Sequence, residues 1–159
     1  MSISNFTKLD FRNALGSFAT GVTVVTALGK NGQKIGMTAN SFNSVSLDPA
    51  LVLWSIGRDT NCFEDFIAAK AYAIHVLAQD QEELSNRFAK TGTDRFAGLE
   101  TQEGLSGVPL LSHHSTCFQC TIAHQYDGGD HVIMVGKVLE ITDHGHKPLV
   151  FHRGGYAAL

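Results

Sequence analysis

The segment Gly36–Phe42 (GMTANSF) carries small and polar residues where a β-strand would ordinarily carry bulky apolar ones. β-Branched residues dominate positions 22–26, and an apolar run occupies positions 51–54, so the segment is expected to lie inside a sheet. Small residues let a flat, polar ligand approach the backbone, which favours a cofactor groove on a β-barrel. An irregular strand edge with a bulge at Gly36 explains the segment equally well at this point.

Alternating and β-branched patterns predict six strands, over residues 22–28, 34–46, 51–56, 72–77, 117–126 and 131–141. The Asn31-Gly32 pair predicts a hairpin between the first two strands, and the segments 47–49 and 127–130 predict two further turns. Residues 90–114 are rich in Gly, Ser and Thr and are expected to form a loop with one short apolar stretch. The short connections between the first three strands predict an antiparallel meander over residues 22–56.

Three helices are predicted around these strands, over residues 7–19, 61–69 and 80–89. Thr7, with Asp10 three residues later, is a candidate cap for the first helix, and Thr60 or Asn61 is a candidate cap for the second. The order contains no βαβ alternation, so it predicts the α+β class, mainly β, as an antiparallel Greek-key-like barrel with flanking helices. With 159 residues, of which 43% are hydrophobic, the chain is expected to form a single domain over residues 1–159.

Charge and hydropathy exclude several classes of partner. The formal net charge is −3 and there is no run of Lys or Arg, so neither a nucleic acid nor an anionic membrane surface is expected as a partner. No apolar run approaches the roughly 20 residues of a membrane-spanning helix, and the segment Met1–Phe6 lacks the pattern of a secretory leader. A cytoplasmic protein that acts on small molecules is therefore expected.

The cysteines and most of the histidines suggest no metal site. The chain has an odd number of cysteines: Cys62, Cys117 and Cys120. Cys117 and Cys120 are three residues apart in a predicted strand, so their side chains point to opposite faces, and free, semi-buried thiols are expected. The histidine pairs at positions 113–114 and 144–146 lack a complete ligand set, so solvated side chains are expected.

Three further side chains are expected to have structural roles. His75 is flanked by apolar residues in a predicted strand and is expected to be half-buried. Trp54 and Phe42 are candidates for stacking on an aromatic ligand, but packing in the core or at a dimer interface is the more common role of such residues.

A second candidate binding segment runs from Ser55 to Asn61. It combines a serine at a strand end, Arg58, Thr60 and the start of a predicted helix, all of which offer donors to a phosphate group. An ordinary solvated loop before a capped helix is the alternative. The sequence contains neither GxGxxG nor GxxxxGK[ST], so a nucleotide would have to be held by a device of this kind.

Several blocks of the chain together resemble one known family. Residues 11–26 (FRNALGSFATGVTVVT) and 38–49 (TANSFNSVSLDP) are similar to the flavin reductase family with the FMN-binding split-barrel fold. Asp94-Arg95-Phe96, Gly129-Asp130-His131 and the block 148–156 (PLVFHRGGY) match the same family in the same order. The resemblance covers nearly the whole chain.

This resemblance implies an NAD(P)H-dependent flavin reductase that supplies reduced FMN or FAD to a separate monooxygenase component. It also implies a homodimer in which both subunits border each flavin groove. The choices between FMN and FAD, and between NADH and NADPH, stay open. Two alternatives also stay open: a reductase of the same fold that passes electrons to a metal-corrin or ferric acceptor, and a flavin-binding module without turnover.

The resemblance also assigns residues to the site. The flavin ring and ribityl chain are expected beside Met37, Thr38, Ala39, Asn40 and Ser41, the phosphate end at Ser55, Arg58, Thr60 and Asn61, and a cover over the flavin at Arg87, Phe88 and Ala89. His131 is the candidate catalytic residue near the nicotinamide, which Arg153 and Tyr156 would border.

The expected chemistry depends mainly on positioning. Hydride would move from nicotinamide C4 to flavin N5, and the flavin itself would act as the electron sink. The two rings must approach to roughly 3–3.5 Å, and His131 could orient the carboxamide or deliver a proton. A strand-end histidine with a purely structural hydrogen bond is the alternative for His131.

Overall fold

The structure, a computed structural model, describes residues 4–159 and is mainly β with three α-helices. The helices are α1 (Lys8–Leu15), α2 (Phe63–Ala68) and α3 (Glu82–Ala89). The strands are β1 (Thr20–Gly21), β2 (Thr23–Leu28), β3 (Lys34–Ala39), β4 (Asn43–Leu47), β5 (Ala50–Gly57), β6 (Ala71–Val76), β7 (Thr101–Glu103), β8 (Pro109–Leu111), β9 (Thr116–Gly128), β10 (His131–Asp143), β11 (Val150–His152) and β12 (Gly155–Ala157). Residues 1–3, the first half of the segment Met1–Phe6 considered above for a secretory leader, lie outside the described residues. Within the described part of the chain, no helix is long and apolar enough to cross a membrane.

The strands form three antiparallel sheets. Seven strands pair in the order β3-β2-β6-β9-β10-β5-β4, three pair in the order β1-β11-β12, and β7 pairs with β8. The prediction of a mainly β, antiparallel protein with flanking helices is thereby confirmed. Among residues 4–159 no pairing joins the edge strands β3 and β4, so the predicted meander is interrupted between them. Closure of the sheet into a barrel stays a prediction.

The single strand predicted over residues 34–46 is wrong, because the chain leaves the sheet at residues 40–42. Asn and Ser side chains compete for backbone hydrogen bonds and therefore disfavour a continuous strand. Ser41 does this directly, since its side chain bonds to the backbone of Ser55 on β5. The Asn31-Gly32 hairpin, by contrast, is confirmed, with Gly32 at a φ of 75° between β2 and β3.

Two small sheets were not predicted. The expected loop over residues 90–114 contains the β7–β8 pair, and the C-terminal β11–β12 hairpin pairs with β1 near the start of the chain. These strands have two or three residues each, too few to show an alternating pattern. Pairs such as Thr20 with Phe151 also join distant parts of the sequence, which no local signal reveals.

The three predicted helices exist, but their ends differ. Thr7 and Asp10 form the predicted reciprocal cap of α1, which then ends at Leu15 instead of residue 19. The second helix begins after Cys62, so the caps predicted at Thr60 or Asn61 are wrong. The third helix begins at Glu82, two residues later than predicted.

The first helix also buries none of its residues. Phe11 is 53% exposed and Leu15 59%, and Phe18 beyond the helix is 75% exposed. An apolar stripe of this kind normally packs against another surface.

The main core lies around Trp54, which is fully buried. The rings of Phe66 and Tyr72 meet Trp54 edge-on, with centroids 5.2 and 5.6 Å away. Phe42 stacks on Phe118 at 5.5 Å and packs against the same core. The expectation that Trp54 and Phe42 serve packing is therefore confirmed.

His75 and His114 are more buried than predicted. His75 is completely buried on β6, where its Nδ1–H donates to the Val24 carbonyl oxygen and its Nε2 accepts from the Leu111 N–H, both at 3.1 Å. Its burial lowers its pKa to about 3, because the charged form would lose its hydration. His114 is only 6% exposed, whereas the other histidines of the 113–146 region are exposed as expected.

The three cysteines are free, as predicted. Cys117 and Cys120 are buried rather than half-buried, and they lie in two different apolar clusters, as their opposite faces require. Burial raises the pKa of each of these two thiols to about 12, so neither is a reactive thiolate at neutral pH.

Candidate functional site

Strand β3 passes beneath two aromatic rings at Gly36. A Cβ atom on Gly36 would lie 2.7 Å from Cε1 of Phe88 and 3.1 Å from Cζ of Phe96, and these two rings cross edge-to-face at 5.1 Å. The pairing of β3 with β2 is regular through Thr26 and Gly36, so Gly36 is not a bulge. The glycine is needed because the rings pack directly on the backbone.

Replacing Gly36 by alanine is expected to lower the free energy of unfolding by roughly 1–3 kcal/mol, since the added methyl group overpacks a buried contact. Urea unfolding followed by tryptophan fluorescence measures this loss. Gly21→Ala is a matched control, because a Cβ atom there would have no neighbour within 4 Å. Equal unfolding midpoints for the two variants would show that the Phe88 ring moves aside without cost.

Helix α3 connects β3 to the C-terminal hairpin. The Thr38 hydroxyl donates to the Ser85 carbonyl oxygen at 2.6 Å. The Tyr156 hydroxyl lies 2.8 Å from Ser85 Oγ and donates to Asn86 Oδ1 at 2.8 Å. Two predicted site residues, Thr38 and Tyr156, are thus held on one turn of α3, through a serine that the sequence did not single out.

The loop after α3 is fixed by two arginines. Arg87 donates from Nε to the Arg95 carbonyl oxygen at 2.8 Å and from Nη2 to the Ala97 carbonyl oxygen. Arg95 donates to the carbonyl oxygens of Lys90 at 2.7 Å and of Gly36 at 2.6 Å. Arg95 therefore ties this loop to β3, a role that sequence reasoning missed although Asp94-Arg95-Phe96 is one of the blocks that carry the resemblance. Flavin contacts of Arg87, Phe88 and Ala89 stay predictions.

The break between β3 and β4 joins the two predicted binding segments. Asn40 and Ser41 are exposed there. Ser41 Oγ accepts a hydrogen bond from the Ser55 N–H at 2.9 Å and donates to the Ser55 carbonyl oxygen at 3.3 Å. The end of the segment predicted to border the flavin ring is consequently attached to the start of the segment predicted to hold the phosphate.

The end of β5 brings His131 next to that second segment. His131 pairs with Gly57 across the β5–β10 ladder, so the two residues share a sheet face with Ser55, opposite the buried Trp54. A Cβ atom on Gly57 would lie 3.0 Å from Asp59 Oδ1, 3.3 Å from Thr60 Oγ1 and 3.6 Å from His131 Nε2. Three polar groups therefore converge on a space that a side chain at residue 57 would fill.

Hydrogen bonds fix the direction of the His131 ring. Its Nδ1 lies 2.7 Å from Asp130 Oδ1, so Nδ1 carries the proton and Nε2 is left for other contacts. The hydrogen bond from His131 lowers the pKa of Asp130, which is therefore a carboxylate at neutral pH. The imidazole itself is about half exposed, with 49% of its side chain accessible.

Arg58 points to the turn that carries His131. Its Nε donates to the Gly129 carbonyl oxygen at 2.9 Å, its Nη2 donates to Asp127 Oδ1 at 2.6 Å, and its backbone N–H donates to the Asp130 carbonyl oxygen at 2.9 Å. Arg58 and His131, predicted for different ends of the ligands, are thus neighbours.

The start of α2 is a poor anion site. The helix has six residues, and its first turn carries Glu64 and Asp65, whose charges would repel a phosphate. Thr60 lies in the turn that precedes it, where its N–H donates to the Gly57 carbonyl oxygen at 3.1 Å, and Asn61 is exposed. Phosphate contacts of Ser55, Thr60 and Asn61 stay predictions.

Arg153 lies in the tight turn of the β11–β12 hairpin, at a φ of 47°. Its N–H donates to the Gly16 carbonyl oxygen at the end of α1, at 2.8 Å. No hydrogen bond within residues 4–159 joins this turn to His131. Within this chain, the predicted nicotinamide residues are therefore divided between the β9–β10 turn and the C-terminal hairpin.

Comparison with known proteins gives a consistent result. A family model described as the flavin reductase like domain matches residues 15–159. The reductase component of a flavin-dependent trigonelline monooxygenase from Acinetobacter baylyi is 45% identical over 147 residues, which are 92% of this chain and 47% of that protein. The FMN reductase (NADH) SmoA of Agrobacterium fabrum is 47% identical over 146 residues, 92% of this chain and 83% of that protein.

A solved structure agrees with these relatives. The NADH:FAD oxidoreductase SgcE6 of Streptomyces globisporus, in complex with NAD and FAD fragments, has a TM-score of 0.91 and 35% identity, and the match covers 100% of this chain and 96% of that one. The chain spans about half the length of two curated relatives, a probable flavin reductase from Rhizobium meliloti and the Acinetobacter baylyi reductase component.

Proposed function

The chain belongs to the family of flavin reductase-like domains, and from this membership we propose that it reduces FMN or FAD with a nicotinamide nucleotide and delivers the reduced flavin to a separate monooxygenase component. The names of two relatives support NADH as the donor, one with FMN and one with FAD as the acceptor. The name of a third, the reductase component of a monooxygenase, supports the delivery step.

The match of the flavin reductase like domain to residues 15–159 carries the proposal, and the structural observation that supports it is the pair of hydrogen bonds between Ser41 and the backbone of Ser55. This contact joins the exposed residues Asn40 and Ser41, which follow β3, to the strand β5 that carries Gly57 opposite His131. A flat ring lying along residues 37–41 would thus have its polar edge near Ser41 and Ser55. A second ring stacked on the first would be within reach of His131.

The residues present fit the ring system of a flavin and a nicotinamide. The proposed flavin contacts are Met37, Thr38, Ala39, Asn40, Ser41, Ser55, Thr60, Asn61, Arg87, Phe88 and Ala89. The converging groups of Asp59, Thr60 and His131 above Gly57 offer both donors and acceptors, as a carboxamide requires. When bound, flavin supplies the electron sink for the hydride.

The protein's own contribution is positioning. The hydroxyl of Thr38 fixes β3 to α3, the rings of Phe88 and Phe96 close one side of β3, and Asp130 orients His131. His131 Nε2 then orients the nicotinamide or transfers a proton, and Arg153 and Tyr156 border the same ligand.

The wider assembly is part of the proposal. The chain forms one domain whose large sheet curves into a split barrel, and two copies form a dimer that covers the exposed apolar residues Phe11, Leu15 and Phe18. In such a dimer the partner copy could bring further residues to each groove. The reaction takes place in the cytoplasm, where NADH is available.

Replacing Asn40 by leucine is expected to weaken flavin binding by roughly fivefold, because the ligand loses a hydrogen bond of about 1 kcal/mol. Fluorescence titration of FMN and FAD measures the dissociation constants. Asn31→Leu, in the exposed turn at the other end of β3, is the matched control and should leave them unchanged. An unaltered dissociation constant in folded Asn40→Leu protein would remove Asn40 from the groove.

A further inference from the structure

We infer that Arg58 is a positioning residue that fixes the β9–β10 turn behind His131, and that it does not act as a ligand of the flavin phosphate. The inference rests on the proposed function in so far as His131 acts on the nicotinamide. It reassigns the one cation of the segment 55–61, which the sequence alone places at the phosphate.

The hydrogen bonds of Arg58 span the turn. Its guanidinium bridges Asp127, near the end of β9, and the Gly129 carbonyl oxygen in the turn, while its backbone N–H holds the Asp130 carbonyl oxygen. These partners are three of the four residues that precede His131. A planar guanidinium that bonds through Nε and Nη2 at once is fixed in orientation as well as in place, which a single ammonium group cannot reproduce.

The position of the turn decides the position of the imidazole. His131 is the first residue of β10, and the carboxylate that holds its Nδ1 belongs to Asp130 in the same turn. On the other side, the ladder pairs His131 with Gly57, the residue before Arg58. Residues 57 and 58 thus hold both the backbone of His131 and the turn that orients its ring.

Local charge argues against a phosphate at Arg58. The guanidinium is already paired with Asp127, and Asp59 and Asp130 add two further carboxylates to this end of the sheet. The Arg58–Asp127 pair is largely exposed, with 46% and 80% of the two side chains accessible, so it contributes little to global stability. Its effect is therefore expected on the geometry of the turn and not on the melting temperature.

The test uses Arg58→Ala, Arg58→Lys, Asp127→Ala and the double variant Arg58→Ala/Asp127→Ala, with Lys137→Ala as the control. Lys137 is an exposed cation on β10, the same strand as His131. Flavin titration gives the dissociation constant, and anaerobic stopped-flow mixing with NADH gives the limiting rate of flavin reduction. Hydrogen–deuterium exchange of the peptide over residues 127–131 reports the order of the turn without any catalysis.

We expect each Arg58 and Asp127 variant to lower the limiting rate by about tenfold, because a misplacement of about 1 Å at a reaction site can cost about 100-fold and a loosened turn displaces His131 by less. The double variant should be no slower than the single ones, since the same contact is lost. Exchange of residues 127–131 should become faster, lysine should not restore the rate, and the flavin dissociation constant should not change.

Two results would overturn the inference. If Arg58→Ala weakens flavin binding, Arg58→Lys restores it and Asp127→Ala leaves it unchanged, then Arg58 is a phosphate ligand. If exchange at residues 127–131 and the rate both stay at the wild-type values, the turn does not need Arg58. Failure of the wild-type protein to reduce flavin would instead contradict the proposed function, while the exchange data would still decide the role of Arg58 in the turn.

Discussion

Replacing His131 by alanine is expected to lower the limiting rate of flavin reduction by about 100-fold, the usual effect of losing a positioned donor or proton carrier. Flavin affinity should be retained, because the proposed flavin contacts lie in the segments 37–41, 55–61 and 87–89 and do not include His131. The imidazole stands above Gly57 with its Nδ1 bound to Asp130, so Nε2 is the atom that the ligand loses.

Anaerobic stopped-flow absorbance with saturating NADH measures this rate, and His124→Ala is the control. His124 is an exposed histidine on β9, where its ring stacks on Tyr126. An unchanged rate in folded His131→Ala protein would leave His131 with a purely structural hydrogen bond to Asp130.

Acidification is expected to destabilise the protein through His75. Its pKa is about 3 in the folded protein, against 6.5 as the ordinary value, because burial penalises the charged ring. Between these two values the unfolded chain binds a proton that the folded chain does not. The contribution of neutral His75 to the free energy of unfolding is therefore fully present above pH 6.5. It falls by about 1.4 kcal/mol per pH unit as the pH drops from 6.5 toward 3.

The variant His75→Leu separates this effect from other acid-sensitive groups. At pH 7 it should be less stable by roughly 2–5 kcal/mol, because the Val24 carbonyl and the Leu111 N–H lose their buried partner. Between pH 6.5 and 4.5 its stability should fall less steeply than that of the wild-type protein, with a residual slope from His114, whose pKa burial also lowers.

Urea unfolding at several pH values measures both slopes. His152→Leu, which removes an exposed histidine, is the control and should keep the wild-type slope. Parallel pH profiles for His75→Leu and the wild-type protein would contradict the assignment to His75.

The sequence predicts those parts of the fold that have a strong local signal. The capping pair Thr7 and Asp10, the Asn31-Gly32 hairpin and the long strands β9 and β10 were found because each depends on neighbouring residues. The β1–β11 pairing could not be found, because it depends on contacts between residues 20–21 and 150–151. The burial of His75 depends on partners 51 and 36 residues away in sequence, Val24 and Leu111.

The same distinction applies to the site. The small residues of β3 indicate that some group packs closely against the backbone of this strand. The sequence does not show that, at Gly36, this group is the pair of rings of Phe88 and Phe96. The segment 55–61 and the family resemblance both predict Arg58 at a phosphate, whereas its hydrogen bonds to the turn before His131 become visible only with the register of β5 and β10. Residue types predict which side chains belong to the candidate site. The hydrogen-bond and packing partners of those side chains depend on tertiary contacts.

The most direct test of the account is anaerobic stopped-flow absorbance of the purified protein with FMN or FAD, mixed separately with NADH and with NADPH. We expect the visible band of the oxidised flavin to bleach rapidly with NADH, because hydride reaches the flavin within one site. If flavin binds and neither nucleotide bleaches it, while an authentic flavin reductase does so under the same conditions, the protein is a flavin-binding module and the proposed function is wrong.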